Sequence, residues 1–246
     1  MLSGYYLLLM SYSNQEDIII GSPIANRNYS QIENLIGFFV NTLALRQVIN
    51  PQTLLRDFIK KVGRDTLDAQ IHQDLPFKNL VDELKISEDT SRHPVFQVMF
   101  DLQNIKNTSP NKEPSQDLSS LLERYAAGEK LYKIAKFDLS VFIEDNEINL
   151  TGIFNYAESL YSEATIQRFI ATYKIILEQF SKLVNDGYAQ ETLRICDLKY
   201  LNQQQYQQIA YKWNSTDKEY PADKTIQQLF EEQVEKTPDN IAIIYE

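Results

Sequence analysis

One cysteine, two histidines, seven glycines and no surplus of positive charge are the scarcities that first limit what this 246-residue chain can do. With Cys196 alone, an internal disulfide and a cysteine metal cluster are both excluded. That usage fits a reducing cytoplasm, and a thiol with no local partner reads as a small apolar filler. Lys and Arg total 24 against 34 Asp and Glu, so the formal charge is −10 and a phosphate backbone is repelled unless a basic patch stands apart. None does. Arg56, Lys60, Lys61 and Arg64 are interleaved with Asp57 and Asp65 on a helical pattern, so no nucleic-acid partner is expected. The apolar run from Met1 to Tyr12 is too short for a bilayer, and no Lys or Arg precedes Arg27, so neither a membrane span nor a secretion signal is expected. The sequence also has no Gly-rich phosphate loop, no G-x-S-x-G elbow and no His-x-x-x-His pair, which leaves no complete catalytic or metal constellation.

What is present is an ordinary globular balance, 43% hydrophobic, 24% charged and 11% aromatic, enough for one core or two small ones. Ile18 to Ile20 read as a buried strand that turns at Gly21, Pro23 and Ala25. Ile36 to Arg46 (IGFFVNTLALR) is almost wholly apolar and predicts a second strand covered on both faces. Asn50-Pro51 predicts a helix start, followed by Leu54, Leu55, Phe58, Ile59, Val62 and Leu67 at helical spacing. A short helix is expected after Pro76-Phe77. Past Pro94, the alternation of Phe96, Val98, Phe100 and Leu102 predicts a half-buried strand. Asn104 to Ser120 is polar and predicts a flexible loop. Phe137, Leu139, Val141 and Ile143 predict a strand, Asp145-Asn146 its turn, and Ile148, Leu150, Phe154 and Tyr156 the returning partner.

Ser162 then caps the strongest amphipathic helix, running through Ile166, Phe169, Ile170, Tyr173, Ile176, Leu177, Phe180, Leu183 and Val184 to a boundary near Gly187. A Gln-rich stretch follows. Asp223 opens a short helix through Leu229, Phe230 and Val234, and Ile241 to Tyr245 read as a strand with no visible neighbour, so the second unit is expected to be incomplete. The mixed order predicts an α/β chain, an α+β sandwich, without internal repeats.

Three polar residues stand out as candidates. His72 lies two residues before Asp74 and a carboxylate beside an imidazole suits a general base, although a histidine before a Pro-Phe turn also serves simply to satisfy backbone groups. His93 sits at a strand entrance. Asn41 is an amide in an apolar run and needs hydrogen-bond partners, so it either braces a neighbouring loop or faces a polar cavity.

Ile36–Arg46, His72–Lys78 (HQDLPFK) and Glu88–Val95 (EDTSRHPV) resemble, in order and spacing, the last three of the seven core motifs of condensation domains of non-ribosomal peptide synthetases. QEDIIIGSPIANR, VFQVMFDLQN and AKFDLSVFI are similar to the text between and after those motifs. WNST at Trp213 and TIQQLFEEQVEKTPDNIAI from Thr225 resemble the linker and opening of an adenylation domain. The resemblance implies residues 1–187 as the rear lobe of a fold of chloramphenicol-acetyltransferase type, 188–222 as linker and 223–246 as the start of an adenylation domain.

It also implies amide-bond formation between thioesters carried on phosphopantetheine arms of peptidyl and aminoacyl carrier domains, with no cofactor held by the chain itself. Gly37, Phe39, Asn41, Thr42, His72, Gln73, Asp74 and Pro76 would line or support the tunnel that those arms enter. No catalytic residue and no metal ligand is assigned. The family's central histidine belongs to a His-His-x-x-x-Asp-Gly stretch that this sequence does not contain. Two departures concern the third motif, where Glu88 stands for the usual arginine and His93 for the usual asparagine.

The expected partners are therefore the missing front lobe, carrier domains and the adenylation domain. The alternative is a docking module for carrier or adenylation domains that performs no chemistry. An independent CoA-dependent acyltransferase would need the central histidine, and an epimerization domain is disfavoured by Val40-Asn41-Thr42. The chain is expected to be a gene fragment or to begin inside a longer frame, and to expose apolar surface when isolated.

Overall fold

A computed structural model describes residues 1–27, 30–33, 35–86, 92–104, 135–145, 150–219 and 221–244. Of the loop expected over Asn104 to Ser120 only Asn104 is described, as the end of a strand, and of the Asp145-Asn146 turn only Asp145; Ile148, Glu88 and Tyr245 fall outside those residues. Two compact units are present, Met1–Asn202 and Gln203–Glu246.

The first unit is built on a five-stranded sheet of β1 (Asp17–Ile24), β2 (Asn41–Val48), β3 (Val98–Asn104), β4 (Leu139–Asp145) and β5 (Leu150–Tyr156), in the order β2-β1-β3-β4-β5. β1 and β2 pair antiparallel from Asp17 with Val48 to Ile24 with Asn41. β1 meets β3 through Gly21 and Met99, β3 runs parallel to β4, and β4 and β5 form the expected antiparallel hairpin, Leu139 opposite Tyr156.

Three helices cover one face of this sheet, and their sequences say why. α1 (Leu2–Ser13) is the apolar run at the start of the chain. It is apolar nearly all round because Tyr5 to Leu8 are buried, and it ends where Asn14 turns left-handed at φ 54° and donates its N–H to the Met10 carbonyl. After the short α2 (Ser30–Glu33), α3 (Leu55–Ile71) buries Leu55, Phe58 and Val62 and leaves Leu67 outside. α4 (Phe77–Glu83) starts directly after Pro76, and α5 (Glu163–Asn185) begins as expected with the Ser162 hydroxyl accepting from the Thr165 N–H. Ile166, Phe169, Tyr173, Ile176 and Leu183 form its buried stripe, against Tyr5, Ile20, Phe100, Val141 and Ile143 among others.

In the first unit four expectations are corrected. β1 does not turn at Gly21 but continues to Ile24, because β2 pairs with it along its whole length. The strand expected from Ile36 begins at Asn41. β1 ends at Ile24, so residues 36–40 have no ladder to join, and Ile36 and Phe38 stand fully exposed. β2 itself alternates, with Leu43, Leu45 and Gln47 buried, and is not covered on both faces. Asn50-Pro51 makes a turn, the Asn50 side chain accepting from the Gln52 N–H, and the helix starts at Leu55. That turn is held in place from outside by the Leu55 N–H on the Leu193 carbonyl and the Cys196 N–H on the Pro51 carbonyl.

Residues 188–202 pack with the first unit. α6 (Gly187–Thr192) follows α5 directly, and Ile195 and Leu198 are core residues. In the second unit, α7 (Gln203–Gln207) continues into a π turn, Gln208–Lys212. α8 (Ile226–Lys236) is capped by Thr225 instead of Asp223, because Gln228 three positions on returns a hydrogen bond to the Thr225 N–H. The strand expected over Ile241 to Tyr245 is not formed: residues 241–244 are exposed and have no ladder partner among the described residues.

Two substitutions probe this core. Gly63 lies inside α3 with open space where a Cβ would stand, so Gly63→Ala is expected to raise the unfolding free energy by about 0.5–1 kcal/mol in a urea titration. The Tyr5 ring stacks on Phe100 at 5.6 Å, yet its buried hydroxyl has no hydrogen-bond partner among the described residues. Tyr5→Phe keeps the ring and removes the orphaned group, so a gain of about 1 kcal/mol is expected in the same measurement.

Candidate functional site

The three segments singled out in the sequence meet at one end of the β1–β2 pair. Asn41 opens β2, and its side chain crosses to the turn between α3 and α4. Nδ2 donates to the carbonyls of Gln73 and Leu75, both at 2.8 Å, and Oδ1 accepts the Phe77 N–H at 3.2 Å. Of the two readings left open for Asn41, the brace is the one observed. One amide thus sets the path of residues 73–77.

From that turn the contact passes to the third segment. The Phe77 ring lies 5.2 Å from the His93 imidazole and edge-on to Phe96 at 5.5 Å. His93 is 4.2 Å from Phe96 and 5.1 Å from Phe137. Phe96 fits because it lies over Gly21, where any Cβ would meet its ring at 2.1 Å. His93 therefore belongs to an aromatic cluster, and its Nδ1 is buried without a hydrogen-bond partner among the described residues.

The apolar segment before Asn41 is held by Arg27. Its guanidinium sits 4.4 Å over the Phe39 ring and donates to the carbonyls of Ile32 at 2.5 Å, Leu35 at 2.8 Å and Gly37 at 3.5 Å. A single side chain satisfying three carbonyls shapes a loop that its own apolar side chains cannot bury. Nothing local in the sequence signals this role beyond an arginine closing the first strand segment.

Among the eight tunnel candidates, Gly37 is exposed in the Arg27 loop and Phe39 half-buried beneath the guanidinium. Thr42 is half-buried in β2 opposite Pro23. His72 is exposed at the end of α3, Gln73 is half-buried, Asp74 is exposed, and Pro76 precedes α4. No hydrogen bond or ion pair joins His72 to Asp74, so the arrangement does not form the oriented base that their spacing suggested. Beside the assembly lies an open groove of about 980 Å³ lined by Ile19, Ala44, Leu80, Leu84, Val95 and the Asp17–Arg46 ion pair, among others; none of the eight candidates lines it.

Burial pushes the His93 imidazole below its ordinary 6.5, an effect the Phe96 backbone offsets in part. The unfolded chain takes up a proton below about 6.5 that the folded chain refuses. Stability from this group is therefore complete above that pH and declines as the pH falls beneath it. His93→Phe is expected to flatten the fall in urea midpoint between pH 7.5 and 5.5. Parallel pH curves for the two proteins would refute this.

Comparison with known proteins gives this arrangement its context. The condensation domain family matches residues 1–232. Gramicidin S synthase 2 of Aneurinibacillus migulanus is 36% identical over 246 residues, covering 100% of this chain and 5% of that protein. Surfactin synthase subunit 1 of Bacillus subtilis (strain 168) is 39% identical over 246 residues, 6% of its length. The chain thus spans about a twentieth of the curated relatives it matches.

Among solved structures, a four-domain non-ribosomal peptide synthetase, holo-AB3403 bound to AMP and glycine, superposes with a TM-score of 0.72 at 20% identity. The match covers 97% of this chain and 18% of that one. The X-domain from teicoplanin biosynthesis gives 0.62 at 21% identity over 81% of this chain and 43% of that one. The mixed α/β fold, a five-stranded sheet with helices, is that of condensation domain structures. By extent of match and by identity to synthetases along its full length, this chain belongs to the condensation domain family of the non-ribosomal peptide synthetases.

Proposed function

We propose that residues 1–202 act as the rear lobe of a condensation domain and that a front lobe bearing the His-His-x-x-x-Asp-Gly stretch supplies the catalytic histidine. The reaction is amide formation. The amine of an acceptor aminoacyl thioester attacks the donor thioester carbonyl, a C–N bond forms, the C–S bond breaks, and the donor arm leaves as a thiol. Both substrates arrive on phosphopantetheine arms of carrier domains, so this chain holds no cofactor of its own. Its contribution is to fix the wall and mouth of the tunnel. Residues 223–246 open an adenylation domain, and the assembly works in the cytoplasm.

The observation that carries this reading is the Asn41 bridge. The three motif segments that resemble the family are not scattered but tied together through Asn41, Phe77 and His93. A side chain so committed to backbone shapes a wall and does not itself perform acid-base chemistry, which agrees with a rear-lobe role.

The test joins this chain behind the front lobe of a His-His-bearing family member and supplies donor- and acceptor-loaded carrier proteins. Mass spectrometry is expected to find peptidyl thioester with the joined protein and none with the chain alone. Turnover by the chain alone would place the catalytic group here instead. A folded, joined protein that binds loaded carriers but yields no product would favour a docking module without chemistry.

A further inference from the structure

Among the described residues, nothing pairs with the far edge of the sheet. β5 is the last strand in the order, and its sequence, LTGIFNY, contains no charged residue and no proline, in a chain whose net charge is −10. Natural edge strands usually carry one or the other, because an uncharged row of free N–H and C=O groups pairs with any compatible strand.

The backbone direction at this edge follows from one bond. The Ala157 N–H donates to the Asp138 carbonyl at 3.1 Å, just beyond the pairing of Leu139 with Tyr156. In an antiparallel ladder the direction alternates, so residues 151, 153 and 155 also point toward β4. Leu150, Gly152, Phe154 and Tyr156 therefore present their N–H and C=O groups to the outer side, where no strand lies among the described residues. Side chains alternate the other way. Phe154 faces Tyr173 on the helix side at 6.1 Å, whereas Ile153 and its β4 partner Phe142 face outward at 61% and 38% exposure.

These facts fix a register. We propose that two copies of this chain join edge to edge through β5, antiparallel about a two-fold axis at Ile153, so that one sheet runs through both. Leu150 then opposes Tyr156 and Gly152 opposes Phe154 as hydrogen-bonded pairs, giving about eight backbone hydrogen bonds from the four pairs. Each Phe154 ring lies across from a glycine, which leaves it room. The closer, non-hydrogen-bonded positions bring Ile153 against Ile153 and Thr151 against Asn155, an apolar contact flanked by two polar pairs. A shift of one residue would set outward-pointing backbone against inward-pointing backbone, and within the paired residues 150–156 no charge meets another. The exposed apolar segment at residues 35–40 offers no comparable pairing rule, since it forms no strand. The proposal does not depend on the acyl-transfer reading.

Sedimentation velocity of the full chain, from low micromolar concentration upward, tests it. The wild type is expected to show a monomer–dimer equilibrium. Ile153→Lys sets two like charges face to face on the axis and is expected to weaken the dimer about tenfold or more. Gly152→Pro removes an N–H that serves only the free edge, so it should do the same without unfolding the hairpin, as circular dichroism would verify. Mixing Ile153→Lys with Ile153→Glu chains is expected to restore a dimer that neither forms alone, because the axis places residue 153 opposite itself. A wild type that stays monomeric throughout overturns the proposal. So does a dimer that persists in both single variants, or a Lys–Glu mixture no more associated than its components.

Discussion

Gly21→Ala is expected to lower the unfolding free energy by about 3 kcal/mol, at the top of the range for overpacking a core. The added Cβ would fall 2.1, 2.3 and 2.7 Å from three carbons of the Phe96 ring. Relief by a rotamer change is closed off, because Phe96 is 1% exposed and held by His93, Phe77 and Phe137. Movement of the backbone is closed off too, since Gly21 pairs with Ala44 on one side and is the residue through which β1 meets Met99 of β3 on the other. The substitution therefore strains the seam of the sheet and the aromatic cluster at once.

A double-mutant cycle isolates the cause. Phe96→Ala alone leaves a cavity and costs about 3–5 kcal/mol. The pair with Gly21→Ala should cost clearly less than the sum, because the methyl enters space the ring has vacated. Strict additivity in urea unfolding would show that the ring is not what Gly21 accommodates.

Gly21 also shows why part of the fold was legible in the sequence and part was not. Patterns with one period and one partner class were readable: the Ser162 cap and its stripe, the β4–β5 alternation, the helix after Pro76. The turn expected at Gly21 used local chemistry, in which glycine beside proline marks a bend. The operative cause is a ring from residue 96 that needs a bare backbone to lie on, and no local window holds both. Residues 36–40 mislead for the complementary reason. An apolar run looks like a buried strand, but strand formation also needs a neighbour, and β1 stops at Ile24.

The candidate site divides along the same line. Asn41 is legible because an amide in an apolar run is conspicuous by itself, whereas Arg27 is not, because its three carbonyl partners follow it by 5 to 10 residues in a segment with no regular period. The His72–Asp74 pairing had sequence proximity without geometry. His93 had neither a nearby carboxylate nor a helical face to announce it, and its place among Phe77, Phe96 and Phe137 depends on three separate segments.

Asn41→Ala is expected to cost about 2–3 kcal/mol and to act locally before it acts globally. The alanine removes three hydrogen bonds at once; the half-buried Gln73 carbonyl and Phe77 N–H left without one contribute about 1 kcal/mol each, and the exposed Leu75 carbonyl, which water reaches, contributes less. Amide exchange at Phe77 should accelerate by more than at Leu43 and Leu45 in β2, whose ladder with β1 does not depend on the side chain. Asn41→Asp sharpens the assignment. Its carboxylate can still accept from Phe77, but when ionised it faces the Gln73 and Leu75 carbonyls with no donor. The folded state therefore favours the protonated acid and raises its pKa above the unfolded value of about 3.9. A folded state that holds a proton the unfolded chain has released loses stability as pH rises through that window. The Asp variant should accordingly be nearest to wild type in acid and fall behind toward neutrality, a trend opposite in sign to that expected from His93. If Asn41→Ala costs less than about 0.5 kcal/mol and leaves Phe77 exchange unchanged, the turn is held by the aromatic cluster alone. The tunnel wall proposed here would then rest on Phe77 and His93 instead of the amide.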